Sequence, residues 1–144
     1  MKTTIKKIVA AYNALGEAKV AKLEEGEVVK ILKARKVMRK YADEYDAFLK
    51  DVQEKFKPEG WDEIQKKLQQ WQQEGENTTL TEAERIELNK AVIGYQKKID
   101  AALKDELKRE VELNIEPLKE ESATKMLVEN GWEVRVLDEL GVMF

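Results

Sequence analysis

The chain has 144 residues, 42% of them hydrophobic and 38% charged, with a formal net charge of −3. That length suits one domain with a modest core. The apolar share argues against full disorder, and so much charge fits long helices with solvated faces better than a large globule. Cys and His are both absent, which excludes a disulfide framework, a thiolate zinc site, a Cys nucleophile and a Ser-His-Asp triad, and leaves acid–base chemistry to carboxylates, Lys and Tyr.

The basic start, Met1 to Lys7, precedes an apolar stretch that runs only from Ile8 to Ala11. A secretory signal needs roughly 7–15 apolar residues there, and no run approaches the ~20 residues of a membrane span. The chain therefore reads as soluble and cytoplasmic. A first helix is predicted over 3–23, with Ile5, Ile8, Val9, Tyr12 and Leu15 on one face, Thr3 or Thr4 as its cap, Gly16 as a weak point and Gly26 at its end.

Residues 27–57 carry the clearest pattern. Ile31, Ala34, Met38, Tyr41, Tyr45, Phe48 and Val52 alternate three- and four-residue steps, the seam of a coiled-coil-like helix, among Lys, Arg, Glu and Asp. Such a helix, about 45 Å long at 1.5 Å per residue, needs a partner along its length. Pro58 and Gly60 stop it. A shorter helix over 61–74 presents Trp61, Ile64, Leu68 and Trp71, and residues 75–79 form a loop. Thr81 and Glu84 stand in capping-box spacing and open a helix over 82–109, striped by Leu88, Val92, Tyr95, Ile99 and Ala102. The two long helices have matching seams and are predicted to pair antiparallel.

From residue 110 the period changes. Val111, Leu113 and Ile115 alternate with Glu112, Asn114 and Glu116, the pattern of a short strand closed by Pro117, against the alternative of a frayed helix end. Residues 122–129 read as a short helix. Trp132, Val136, Leu140 and Phe144 favour a last helix, with Asn130 and Glu133 as its cap; the competing reading of Trp132, Val134 and Val136 is a strand that would pair with 111–115. The predicted fold is mainly α: an elongated helical hairpin or bundle over 1–109 with a small cap, 110–144, of the same domain.

Charge is uneven along the chain. Residues 1–40 hold 11 basic against 4 acidic residues, and residues 41–144 hold 15 against 25. The densest basic run gives a candidate interaction face, Lys30, Lys33, Lys36, Arg39 and Lys40. At 100° per residue Lys33, Lys36 and Lys40 fall together, opposite the Met38/Tyr45 seam. A phosphate-binding face and a plain solvated face are the two readings. With a pI near 5.3 and no nucleic-acid motif, nucleic-acid binding is disfavoured. Tyr41, Tyr45, Phe48, Leu49 and Phe56 form a candidate apolar interface. The carboxylate pairs Asp43/Asp46 and Glu106/Glu110 are too few to imply a metal site, and no Gly-rich phosphate loop exists. No catalytic, cofactor-binding or metal-binding residue is assigned, and the chain is not expected to be an enzyme.

Two stretches carry a resemblance. Ile5 to Lys19 contains Ala-Tyr-Asn-Ala-Leu and precedes a long charged helix, and Glu110 to Leu118 reads Glu-Val-Glu-Leu-Asn-Ile-Glu-Pro-Leu. In this order they resemble a family of small, functionally uncharacterised proteins of tailed bacteriophages and prophages, over about half the chain; residues 58–80 have no counterpart. The resemblance implies expression in a bacterial host cytoplasm, with virion association as one outcome. It points to a structural or assembly role through helix packing and self-association. The alternative it leaves is a small inhibitor or adaptor that binds a host protein, such as a defence component, through a charged helical face.

Overall fold

A computed structural model describes all 144 residues, of which 74% are helical. In chain order the elements are β1 (Lys2–Thr4), α1 (Ile5–Glu17), α2 (Glu25–Lys55), α3 (Trp61–Glu74), α4 (Glu82–Lys108), β2 (Glu110–Glu112), α5 (Glu120–Asn130) and α6 (Arg135–Glu139), with short 3-10 turns at Gly75–Asn77 and Gly141–Met143. No helix is long and apolar enough to cross a membrane. The chain divides into two compact units, one of residues 1–48 and 105–144, the other of residues 49–104. Residues 110–144 thus share a unit with the N-terminal third.

The first unit is built where α1, the first part of α2 and the C-terminal segments bury one another. The predicted face of α1 is real: Ile5, Ile8 and Leu15 are buried, joined by Ala11, and Thr4 caps the helix by accepting from the Lys7 N–H. The α2 seam supplies Ile31, Ala34 and Met38. Leu113, Leu118, Met126, Leu140 and Met143 close over it, and Met38, Met126, Leu140 and Met143 have no exposed surface. The terminal 3-10 turn is therefore core, tied by the Leu118 N–H to the Met143 carbonyl at 2.7 Å.

The alternation at 110–116 produces the expected strand, over Glu110–Glu112, and residues 132–136 are not its partner. Lys2–Thr4 pairs with it antiparallel, Lys2 opposite Glu112 and Thr4 opposite Glu110, and the ladder continues through the Leu113 N–H to the Met1 carbonyl and the Ile5 N–H to the Arg109 carbonyl. α1 ends at Glu17 and not near 23. The physical reason is Asn130. Its side-chain amide accepts from the Lys19 N–H at 2.6 Å and donates to the Lys19 carbonyl at 2.9 Å, so that backbone is satisfied without a helix. Asn130 and Glu133 do not cap the last helix: the cap position of α6 is Val134, with no side-chain hydrogen bond. Residues 135–139 and 141–143 are nevertheless helical, in α6 and the 3-10 turn.

The second unit contains the end of α2, all of α3 and most of α4. Pro58, Glu59 and Gly60 make the turn into α3. Gly60 sits at φ +71 with open space around it, a backbone conformation that costs other residues about 1 kcal/mol. α3 buries no residue fully. Trp61 rests against Tyr95 with ring centroids 4.6 Å apart, and the Tyr95 hydroxyl donates at 2.9 Å to the carbonyl of Gln53, one of those that the last turn of α2 leaves free. The capping box before α4 is formed as expected, the Glu84 N–H donating to Thr81 Oγ1 at 3.2 Å and the Thr81 N–H to Glu84 Oε1 at 3.4 Å.

Met38 has no exposed surface, so Met38→Asp is expected to cost about 3–5 kcal/mol by placing a polar group in a close-packed apolar site. A urea denaturation midpoint close to that of the unsubstituted chain would show that this seam does not hold the unit together.

Candidate functional site

α2 has two unlike sides. Its inner side carries the buried seam. Its outer side carries the basic residues singled out above, and Lys33, Lys36, Arg39 and Lys40 are all exposed. Arg39 lies 3.8 Å from the carboxylate of Asp43, one turn on. Lys33, Lys36 and Lys40 take part in no salt bridge. Between them stand apolar side chains that the sequence reading passed over: Val29 is 40% exposed, Leu32 64% and Val37 41%. At 100° per residue Val29, Leu32, Lys33, Lys36, Val37 and Lys40 share one half of the helix surface. The spacing of Val29 to Leu32 and Lys33, three and four residues, was the signal that could have found them.

Lys30 differs from its neighbours. It is half-buried, its ammonium 3.1 Å from Glu27 Oε2, and it donates to the Pro117 carbonyl at 3.3 Å. Glu27 is the acid around which that corner is built. It is only 3% exposed, and its Oε1 accepts from the Lys119 N–H and the Ser122 hydroxyl, both at 2.8 Å. Lys119 precedes α5 and offers no side-chain cap, so a carboxylate from α2 takes that place, where the helix dipole favours an anion. The Lys119 N–H, with help from Ser122 and Lys30, holds the Glu27 carboxyl below its usual range against the opposing effect of burial.

The candidate aromatics lie elsewhere. Tyr41, Tyr45, Phe48 and Phe56 are each half-buried, as is Leu49. They follow the seam side of α2, roughly opposite the lysines, so the two proposed faces do not merge. Burial, and then the neighbouring Asp46 carboxylate, push the Tyr45 phenol above its ordinary value. Lys40 and Lys55 lie over the Tyr41 and Phe56 rings at 5.8 and 5.5 Å.

Folding also redistributes the charge. The acid-rich part of the chain after residue 40 does not form one acidic body. Residues 49–104 hold 10 basic against 11 acidic residues, close to neutral. Residues 105–144 hold 5 against 11, and they fold into the same unit as residues 1–48, with 11 against 7. Much of the asymmetry is thus answered inside one unit, where the three outer lysines are among several basic residues, Lys2, Lys6, Lys7 and Lys22 with them, that form no salt bridge.

Beside them runs a groove of about 350 Å³, with Lys30, Lys33, Ala34, Lys36 and Val37 of α2 on one side and Asn114, Ile115 and Glu116 on the other. A larger open groove in the second unit, about 490 Å³, includes Glu59, Glu63, Glu84, Glu87, Lys67 and Lys90. No set of carboxylates in the chain is gathered closely enough to hold a metal ion.

Glu27 gives a pH prediction. Its folded-state pKa lies below its unfolded one, so its contribution is complete above the ordinary glutamate value, about 4.3, and is lost as pH falls through the folded-state value. Glu27→Gln should cost about 1.5–3 kcal/mol at neutral pH, the range of hydrogen bonds to a charged group, and should flatten the loss of stability on acidification. Parallel acid titrations of the two proteins would contradict this.

Compared with protein-family models, with curated proteins and with solved structures, the chain matches none.

Proposed function

We propose that this chain is a non-catalytic interaction protein that docks another protein surface on the outer side of α2. One observation carries the reading: Val29, Leu32 and Val37 stand exposed among lysines that no carboxylate of the chain answers. Apolar groups rimmed by uncompensated charge are how a protein interface is commonly composed. The apolar residues also speak against nucleic acid, whose partners present a more polar, more uniformly basic surface. The lack of His and Cys and the openness of the acidic groove favour a binding role over catalysis.

The resemblance to phage and prophage proteins turns this into a structural or assembly role in which copies of the chain associate. The complementary charge would come from the acid-rich 105–144 stretch of a second copy. The second reading, an adaptor or inhibitor on a host protein, uses the same face and an acidic patch on that protein.

Sedimentation velocity over a range of concentration and salt tests the homotypic form. The expected result is a mass that rises with concentration, falls with added salt, and falls in two variants that keep the fold, Leu32→Glu and the triple change Lys33→Glu, Lys36→Glu, Lys40→Glu. A chain that stays monomeric throughout would exclude the homotypic form. Association indifferent to both variants would remove the outer side of α2 as its surface.

A further inference from the structure

The groove beside the lysines has a feature that a helix-docking surface lacks. Its second wall, Asn114 to Glu116, belongs to no regular element. It continues β2 beyond the point where the Leu113 N–H reaches the Met1 carbonyl, and the backbone N–H groups of Asn114, Ile115 and Glu116 donate to no other backbone group. Pro117 follows, which restricts Glu116 to extended conformations. Ile115 packs against the core and anchors this wall, so the segment is held in place while its hydrogen-bonding capacity is unused. Unpaired edges of this kind are what an incoming strand completes.

The opposite wall sets the chemistry of the occupant. Val37 gives the groove an exposed apolar side chain, with Ala34 almost fully buried behind it. Lys33 and Lys36 stand over it without carboxylate partners, and Lys30 is held at its end by Glu27 and Pro117. Lys30 is thus already answered, and the two remaining cations of the groove, Lys33 and Lys36, face one acid, Glu116. We propose that this groove takes an extended acidic peptide segment of a partner protein. The segment would add along Asn114–Glu116 by main-chain hydrogen bonds, set a small apolar side chain on Val37, and turn alternate Asp or Glu side chains toward Lys33 and Lys36. The period of two along a strand allows one face of the peptide to be apolar and the other acidic. This rests on the chain's being a protein binder, as argued above, and extends that reading to a neighbouring groove, which shares Lys33, Lys36 and Val37 with the outer side of α2 but is not lined by Leu32.

The test is fluorescence anisotropy with a labelled peptide of alternating Glu and Val, at low salt. The expected result is saturable binding, weakened about tenfold or more by Lys33→Glu with Lys36→Glu, abolished when the peptide's backbone amides are N-methylated, and unchanged by Leu32→Glu. Unchanged thermal unfolding of the variants separates lost binding from lost folding. No saturable binding, equal binding of the N-methylated peptide, or equal binding by the charge-reversed variant would each overturn the proposal. So would stronger binding of single-stranded DNA or of phosphatidylserine vesicles that displaces the peptide. Loss of sedimentation-detected association in Leu32→Glu with peptide binding intact would separate the groove from the Leu32 part of the outer side.

Discussion

Glu27 is an acid where acids are costly. It stands in the first turn of α2, almost wholly removed from solvent, and such a carboxylate is stable only when it is bonded or paired. Oε1 takes its bonds from the far end of the chain, the Lys119 N–H and the Ser122 hydroxyl at 2.8 Å each, while Oε2 faces the Lys30 ammonium at 3.1 Å. The Oε1 bonds fix where α5 begins, and so where Met126 meets the seam and where the Leu118 N–H meets the Met143 carbonyl. Asn130, at the other end of α5, performs the same service for the Lys19 backbone. A unit assembled from two stretches of chain, 1–48 and 105–144, is held in register by polar contacts at both ends of one short helix. Its apolar core supplies the bulk of the stability.

That arrangement decides what α2 shows to solvent. The inner side is used up by α1 and the C-terminal segments, which leaves the outer side with Lys33, Lys36 and Lys40 and the apolar residues between them. Lys30 marks the boundary, since its ammonium serves Glu27 and Pro117. The same packing sets the segment after β2 beside α2 and makes the groove. Core and candidate surface are thus two consequences of one helix having one seam.

Much of this was legible in the sequence. The α2 seam, the α1 face, the helix at 61–74 and the Thr81/Glu84 box follow from spacing alone, because helical period and capping are local properties. What escaped was non-local. Lys2–Thr4 is too short to show a period of two, and only its pairing with Glu110–Glu112 makes it a strand. Asn130 has no local mark that reveals a bond to Lys19. Glu27 did carry a signal: it stands four, seven and eleven residues before Ile31, Ala34 and Met38, on the seam itself, so an acid there must find a buried partner. In a stretch holding Glu24, Glu25 and Glu27 that position was easy to pass over. The interaction residues were half legible. The lysines were visible as a cluster, but exposure of Val29, Leu32 and Val37 depends on which side of α2 the rest of the chain covers.

The central claim is that the outer side of α2 is the surface this protein uses. Lysine acetylation footprinting, read residue by residue by mass spectrometry on the free chain and on its complex, tests it most directly. The account predicts that Lys33, Lys36 and Lys40 lose reactivity on complex formation while Lys97 and Lys98 of α4 keep theirs. Unchanged reactivity of all three outer lysines, with protection falling on α4 instead, would contradict it.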